Sequence, residues 1–186
     1  MRLFVSVDLP TTLAEPLAAV QDELREADGL RFTDPSQAHF TLKFLGEVDP
    51  ERVAEIEAAI ETAVGEAGVD PFSCTIEGLG VFPSLDYISV VWAGVRDGEG
   101  AAELTHLHDA LEAELTALGF DAESHEFTPH ITLARMDDAR GKAVVQELMQ
   151  EREPTVGTFR VEGVRLTEST LTEAGPQYET VRTIDL

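Results

Sequence analysis

Little in this chain could form a covalent or metal scaffold. There is one cysteine, Cys74. That excludes an internal disulfide framework and a cysteine-rich zinc site. No apolar run approaches the roughly 20 residues that span a bilayer. The opening Met-Arg-Leu-Phe-Val-Ser-Val-Asp reads as a strand from its second residue, with no apolar leader and no small-residue cleavage site. Aromatic residues make up only 6% of the 186 residues, and there is no Gly-rich loop of the dinucleotide or P-loop type. A nucleotide cofactor is therefore not suggested, and the sequence implies a soluble cytoplasmic protein that uses no cofactor and no metal.

Cations are also scarce. Thirteen Lys and Arg face 36 Asp and Glu, a formal charge of −23, and only Lys43 and Lys142 are lysines. A field this negative repels a polyanion at low salt. The acids are spread along the chain among apolar residues, unlike a disordered acidic tail. Many Ala, Glu, Asp and Val with almost no Lys resembles the pattern of halophilic proteins, which work in molar salt; a basic protein partner and chance are the alternatives. In molar salt the Debye length shrinks to about 3 Å and surface carboxylates hardly repel one another or a substrate. Any phosphate site must then be built from local donors.

The apolar pattern is that of one α+β unit. Arg2 to Asp8 alternates as a half-buried strand, and Thr11 to Ala27 is helical, with Thr11 or Thr12 as cap. Leu30–Thr33 and His39–Leu45 are extended. Asp49 caps a helix that starts at Pro50 and ends near Gly65 or Gly68. Phe72–Val81 and Tyr87–Val95 are strands, and Ala101–Leu118 is a leucine-striped helix closed by Gly119. Thr128–Ala134 is a strand, Ala139–Gln150 a helix, and Phe159–Ser169 with Tyr178–Leu186 a closing pair of strands. Many neighbouring strands have no helix between them, which favours antiparallel or mixed sheets.

A weak internal repeat carries the chemistry. Each half runs strand–helix–strand and ends in H-x-T-L: His39-Phe40-Thr41-Leu42, then His130-Ile131-Thr132-Leu133. Residues two apart share a strand face, so each motif shows an imidazole beside a hydroxyl. Two such strands face to face suit the opening of a cyclic phosphodiester. One imidazole takes a proton from water and the other gives one to the leaving oxygen, since imidazole titrates near neutrality. Threonine hydroxyls can hold the charged phosphate oxygens. Lys43 is set on the opposite face and is not a phosphate ligand. His106 and His108 lie two apart on a helix, so they do not make a metal pair and read as solvated. His125 reads as exposed, Cys74 as a small core residue, and Asp109, Glu112 and Glu114 as a solvated helix face. Phe44 reads as core rather than as a stacking platform.

These residues also resemble a known family. Arg2–Pro10, His39–Gly46, Gly80-Val81-Phe82-Pro83, Phe127–Arg135, Ser169-Thr170-Leu171 and Gly175–Tyr178 match, in order and spacing, the RNA 2′,3′-cyclic phosphodiesterase family. That family is also called 2′-5′ RNA ligase-like and lies within the two-histidine phosphoesterase superfamily. The resemblance implies a bilobal α+β fold with a pseudo-twofold axis over residues 1–186, a single domain of two intertwined lobes around a cleft. It implies hydrolysis of an RNA 3′-terminal 2′,3′-cyclic phosphate to a 2′-phosphate by a monomer, with tRNA fragments among the candidate substrates. His39 would be the acid and His130 the base. Thr41, Thr132 and Arg135 would hold phosphate, and Tyr178 is a candidate stacking platform. The family often has a basic residue after its Phe-Pro. Here Ser84-Leu85-Asp86 follows. An RNA-end binding or ligating protein, or a phosphodiesterase for small cyclic nucleotides, remain the alternatives.

The charge excess gives one prediction. Thermal unfolding followed by circular dichroism will show a midpoint that rises steeply from 0.1 to 2 M KCl, because self-repulsion is screened. A flat response would contradict the salt-adapted reading.

Overall fold

The computed structural model describes residues 1–186. Nine strands form two sheets, and every pairing is antiparallel. The strands are β1 (Arg2–Asp8), β2 (Leu30–Phe32), β3 (His39–Glu47), β4 (Phe72–Pro83), β5 (Ile88–Val95), β6 (Ile131–Met136), β7 (Thr155–Val161), β8 (Gly163–Thr172) and β9 (Gly175–Asp185). The first sheet has the order β3-β1-β8-β9 and the second β2-β6-β5-β4-β7. Four helices complete the fold: α1 (Ala14–Glu23), α2 (Val53–Ala67), α3 (Ala101–Ala117) and α4 (Lys142–Glu151). None is long and apolar enough to cross a membrane.

The two halves exchange helices. β1 and β3 belong to the first sheet, but α1, which joins them, packs on β7 of the second. β5 and β6 belong to the second sheet, but α3, which joins them, packs on β3 of the first and on α2. The leucine stripe decides this docking: Leu104, Leu107, Leu111 and Leu115 are fully buried at helical spacing. Leu17, Val20 and Leu24 do the same from the α1 segment. A single apolar cluster of 35 residues runs through both sheets and all four helices, so neither lobe can be lifted away without exposing the other's core.

Local signals explain most boundaries. Asp49 accepts the Glu51 backbone N–H at 3.0 Å, and Pro50 opens a 3-10 turn before α2. Gly68, with φ +60°, ends α2. Neither Thr11 nor Thr12 caps the first helix. A 3-10 turn at Thr11–Leu13 leads straight into α1 with no side-chain cap bond. The expected strand over Phe159–Ser169 is two strands of different sheets, β7 and β8, parted at Glu162. The chain changes lobes there, and composition does not mark the crossing. β6 begins at Ile131 rather than Thr128, because Pro129 has no N–H to give a ladder.

One glycine sets the floor of the second lobe. The only tryptophan, Trp92, lies flat on Gly80 across the β4–β5 pair, and a Cβ there would fall inside the indole. The Trp92 Nε1–H is enclosed without an acceptor, a cost of about 1–3 kcal/mol that the flat packing must offset. Gly80→Ala is expected to destabilise by about 1–3 kcal/mol through overpacking. Denaturant melts followed by Trp92 fluorescence would check it, and an unchanged midpoint and spectrum would contradict it.

Candidate active site

Both motif strands break their alternation at the same place. In β3, Thr41 pairs with Ser6 but Lys43 pairs with Val5, so the register steps over Leu42. In β6, Thr132 pairs with Trp92 but Ala134 pairs with Val91, so it steps over Leu133. Each is a bulge, which adds one residue and re-aims those after it. Burial follows the same sequence in both: half-buried His, buried apolar, half-buried Thr, two buried residues, then an exposed one. The exposed residues are Phe44 and Arg135. Strict alternation would hide both, five places after their histidine. The bulge returns them to the histidine face.

This corrects three expectations. Phe44 is not core but 59% exposed. Lys43 does lie away from the His39 face, although its parity with His39 and Thr41 would have put it there; the bulge turns it inward. Its side chain is 1% exposed, and its ammonium donates to the Asp121 carbonyl at 2.5 Å and contacts Glu112 at 2.7 Å. The second contact is an ion pair without hydrogen-bond alignment. Glu112 is therefore not a solvated helix residue. Nor is His108. It is 6% exposed, bonded through Nδ1 to the Leu42 carbonyl at 2.7 Å and stacked on Phe127 at 4.1 Å. The leucine stripe carried the signal for this: His108 stands four residues after Leu104 and three before Leu111, on the buried face, and His106 does not. His106 and His125 are exposed and Cys74 is buried, as expected.

β3 and β6 approach each other across the cleft, and their histidines are held alike. His39 Nδ1 bonds the Gln37 carbonyl at 2.9 Å, and His130 Nδ1 bonds the Thr128 carbonyl at 2.7 Å. A carbonyl only accepts, so Nδ1 carries the hydrogen in both. Each Nε2 is then a lone-pair acceptor when the ring is neutral and a donor when it is protonated. Aromatic rings fix the planes. Tyr178 meets His39 edge-on at 4.9 Å, with Phe4 at 5.0 Å; Phe82 meets His130 edge-on at 4.8 Å, with Trp92 at 6.0 Å. Of these four rings, Tyr178 was expected at the site, and Phe4, Phe82 and Trp92 were left unassigned by sequence reasoning. The signal for Phe4 was its even parity with Ser6 and Asp8; Phe82 and Trp92 gave none.

Charge distinguishes the two imidazoles. Burial pushes both below the ordinary histidine range. The Gln37 carbonyl and the Asp8 carboxylate pull His39 partly back up. The Thr128 carbonyl does so for His130, but the Arg135 and His39 charges push it further down. Asp8 is itself held by Arg165 at 2.7 Å and by the Ser6 hydroxyl at 2.9 Å, and Ser6 contacts Thr167 at 3.0 Å. Arg135 has no carboxylate within ion-pair reach, and neither has Arg2; both charges act on the Tyr178 phenol. Arg2, missed in the sequence, follows from the same parity as Phe4. No three His, Cys, Asp or Glu side chains gather as a metal-binding group.

Two facing sheets, exchanged helices and paired motif histidines define the two-histidine phosphoesterase class. The solved Thermus thermophilus protein TT0787 has this fold at a TM-score of 0.78 and 28% identity, over 100% of this chain and 98% of its own. Escherichia coli LigT complexed with 3′-AMP matches at a TM-score of 0.80, over 100% of this chain and 97% of its own, and at 24% identity shows the fold alone. The chain belongs to the 2′-5′ RNA ligase superfamily, whose family model matches residues 9–173. Curated relatives agree. A Methanothermobacter thermautotrophicus protein named RNA 2′,3′-cyclic phosphodiesterase is 37% identical over 96% of this chain and 95% of its own. One of the same name from Archaeoglobus fulgidus is 34% identical over the full length of both.

The charge asymmetry is testable. Asp8→Asn will lower the His39 pKa and leave His130 nearly unmoved, read from imidazole C–H shifts in an NMR pH titration. A His39 titration unchanged by the substitution would contradict the assignment.

Proposed function

We propose that this enzyme hydrolyses RNA 3′-terminal 2′,3′-cyclic phosphates to 2′-phosphates without a metal ion. The observation that carries the reading is the pair of Nδ1-anchored imidazoles on facing strands, each with Nε2 open and a threonine on the same face. His130 Nε2 takes a proton from water as the water oxygen attacks phosphorus. His39 Nε2–H gives its proton to the 3′ oxygen as the P–O3′ bond breaks, leaving the phosphate on the 2′ oxygen. The base must be neutral and the acid protonated. Arg135 beside His130 disfavours imidazolium there, while Asp8 favours it at His39. This supports the assignment of roles made from the family resemblance. Thr41, Thr132 and Arg135 hold the non-bridging oxygens as charge builds on them. Tyr178, with Phe4 and Phe44, forms an aromatic wall on the His39 side that suits a nucleobase.

The whole chain acts as one unit, a monomer in a salt-rich cytoplasm, with tRNA fragments among the substrates. One observation favours a smaller substrate. The tip Ser84-Leu85-Asp86 offers no cation, so Arg2 and Arg135 are the unpaired charges at the cleft. Comparing an RNA oligomer with 2′,3′-cyclic AMP separates the two readings, and assay of two RNA ends separates hydrolysis from ligation.

His39→Ala and His130→Ala are each expected to lower kcat by about 10²–10⁴ while the fold persists. Turnover in EDTA should match turnover without it. Either variant retaining the wild-type rate would sink the mechanism. The pH–rate profile should be bell-shaped, with both limbs below those of free imidazole, because burial lowers both groups.

A further inference from the structure

Both bulges are held from outside their own sheet. The carbonyl of Leu42, the residue stepped over in β3, accepts from His108 Nδ1 at 2.7 Å. The carbonyl of Leu133, its counterpart in β6, accepts from Gln21 Nε2 at 3.1 Å. It also receives the Thr33 N–H at 3.0 Å and the Thr33 hydroxyl at 3.1 Å. Gln21 is 1% exposed and His108 6%. Each stands on the helix its own half sends across to the other lobe, α1 and α3. Burying a polar side chain in an apolar layer is costly unless it is bonded, and an aliphatic residue would fill either place. Gln21 makes a second bond, to the Thr33 carbonyl at 2.9 Å. His108 lies flat on Phe127, three residues before His130, so it also touches the segment that feeds the second motif.

We propose that Gln21 and His108 are a pseudo-symmetric pair of positioning residues, each clamping one bulge so that Arg135 and Phe44 face the cleft beside the histidines. Neither touches substrate. The inference rests on the hydrolytic reading only for its kinetic test; its structural test does not depend on turnover. Without the Gln21 clamp the β6 bulge can relax toward regular alternation, and Arg135 then turns away from His130. Without the His108 clamp the same happens to Phe44 beside His39.

The test uses the full chain and two readouts. First, His130 is titrated by NMR in wild type, Gln21→Met and Arg135→Met. Arg135 lowers the His130 pKa, so Arg135→Met must raise it. The proposal predicts that Gln21→Met raises it in the same direction and that the double variant moves it no further. A Gln21→Met titration equal to wild type, beside a shifted Arg135→Met, overturns it. Second, kcat/KM is measured on an RNA oligomer ending in a 2′,3′-cyclic phosphate. Gln21→Met and Arg135→Met should each cost about 10–100-fold, the scale of a 1 Å misplacement, and together no more than the larger single loss. His108→Phe, which keeps the ring stack and removes the donor, should likewise be non-additive with Phe44→Ala and additive with Arg135→Met. His108→Asn, which keeps a donor at the Nδ1 position, should recover most of the loss. Additive losses within each lobe, or no rescue by Asn, would make both residues mere core and overturn the proposal. If Gln21→Met does not fold, Gln21→Asn, which stays neutral and polar but is one methylene too short to reach the Leu133 carbonyl, carries the same titration test. Absence of wild-type turnover would count against the hydrolytic reading and leave the titration standing.

Discussion

A β-strand shows one face only every second residue, and this site needs more than that. An imidazole, a hydroxyl and a third side chain from six consecutive residues must reach one cleft. Alternation supplies the first two and hides the third. The paired bulges at Leu42 and Leu133 resolve this, and much else follows from them. They turn Lys43 into the interior, where Glu112 and the Asp121 carbonyl receive it. They bring out Phe44 in one lobe and Arg135 in the other. One backbone device thus yields an aromatic wall on one side and a cation on the other, with the same histidine and threonine on both.

The exchanged helices make that device rigid. The helix of each half packs on the sheet of the other, so the apolar cluster is continuous. The two motif strands are then parts of one core, not two bodies joined by a linker. In the proposed mechanism this matters, because acid and base would act on opposite sides of one phosphorus atom. A loss of register between lobes would cost rate long before it cost folding.

How much of this the sequence disclosed depends on the range of each signal. The strands and helices were legible because alternation, leucine spacing, Asp49-Pro50 and Gly119 are local. The duplicated H-x-T-L was legible because a repeat needs no structure to be seen. The change of sheet at Glu162 was not, since a strand that crosses between lobes keeps its apolar pattern on both sides of the crossing. Phe44 was misread because a bulge shifts parity by one residue, and nothing in His-Phe-Thr-Leu-Lys-Phe marks where. His108 was legible from its place on the leucine stripe of its helix and was passed over. Phe82 and Trp92 reach His130 only through cross-strand pairing, which is tertiary information.

The central claim is that two imidazoles open a cyclic phosphate by adding water and releasing the 3′ oxygen. The most direct measurement is turnover of a short RNA ending in a 2′,3′-cyclic phosphate, in molar KCl with EDTA and in ¹⁸O-labelled water, with the product read by mass spectrometry and its regiochemistry by NMR. The account predicts a single end product, the 2′-phosphate, carrying one labelled oxygen on phosphorus. A 3′-phosphate, or a requirement for added metal, would contradict it.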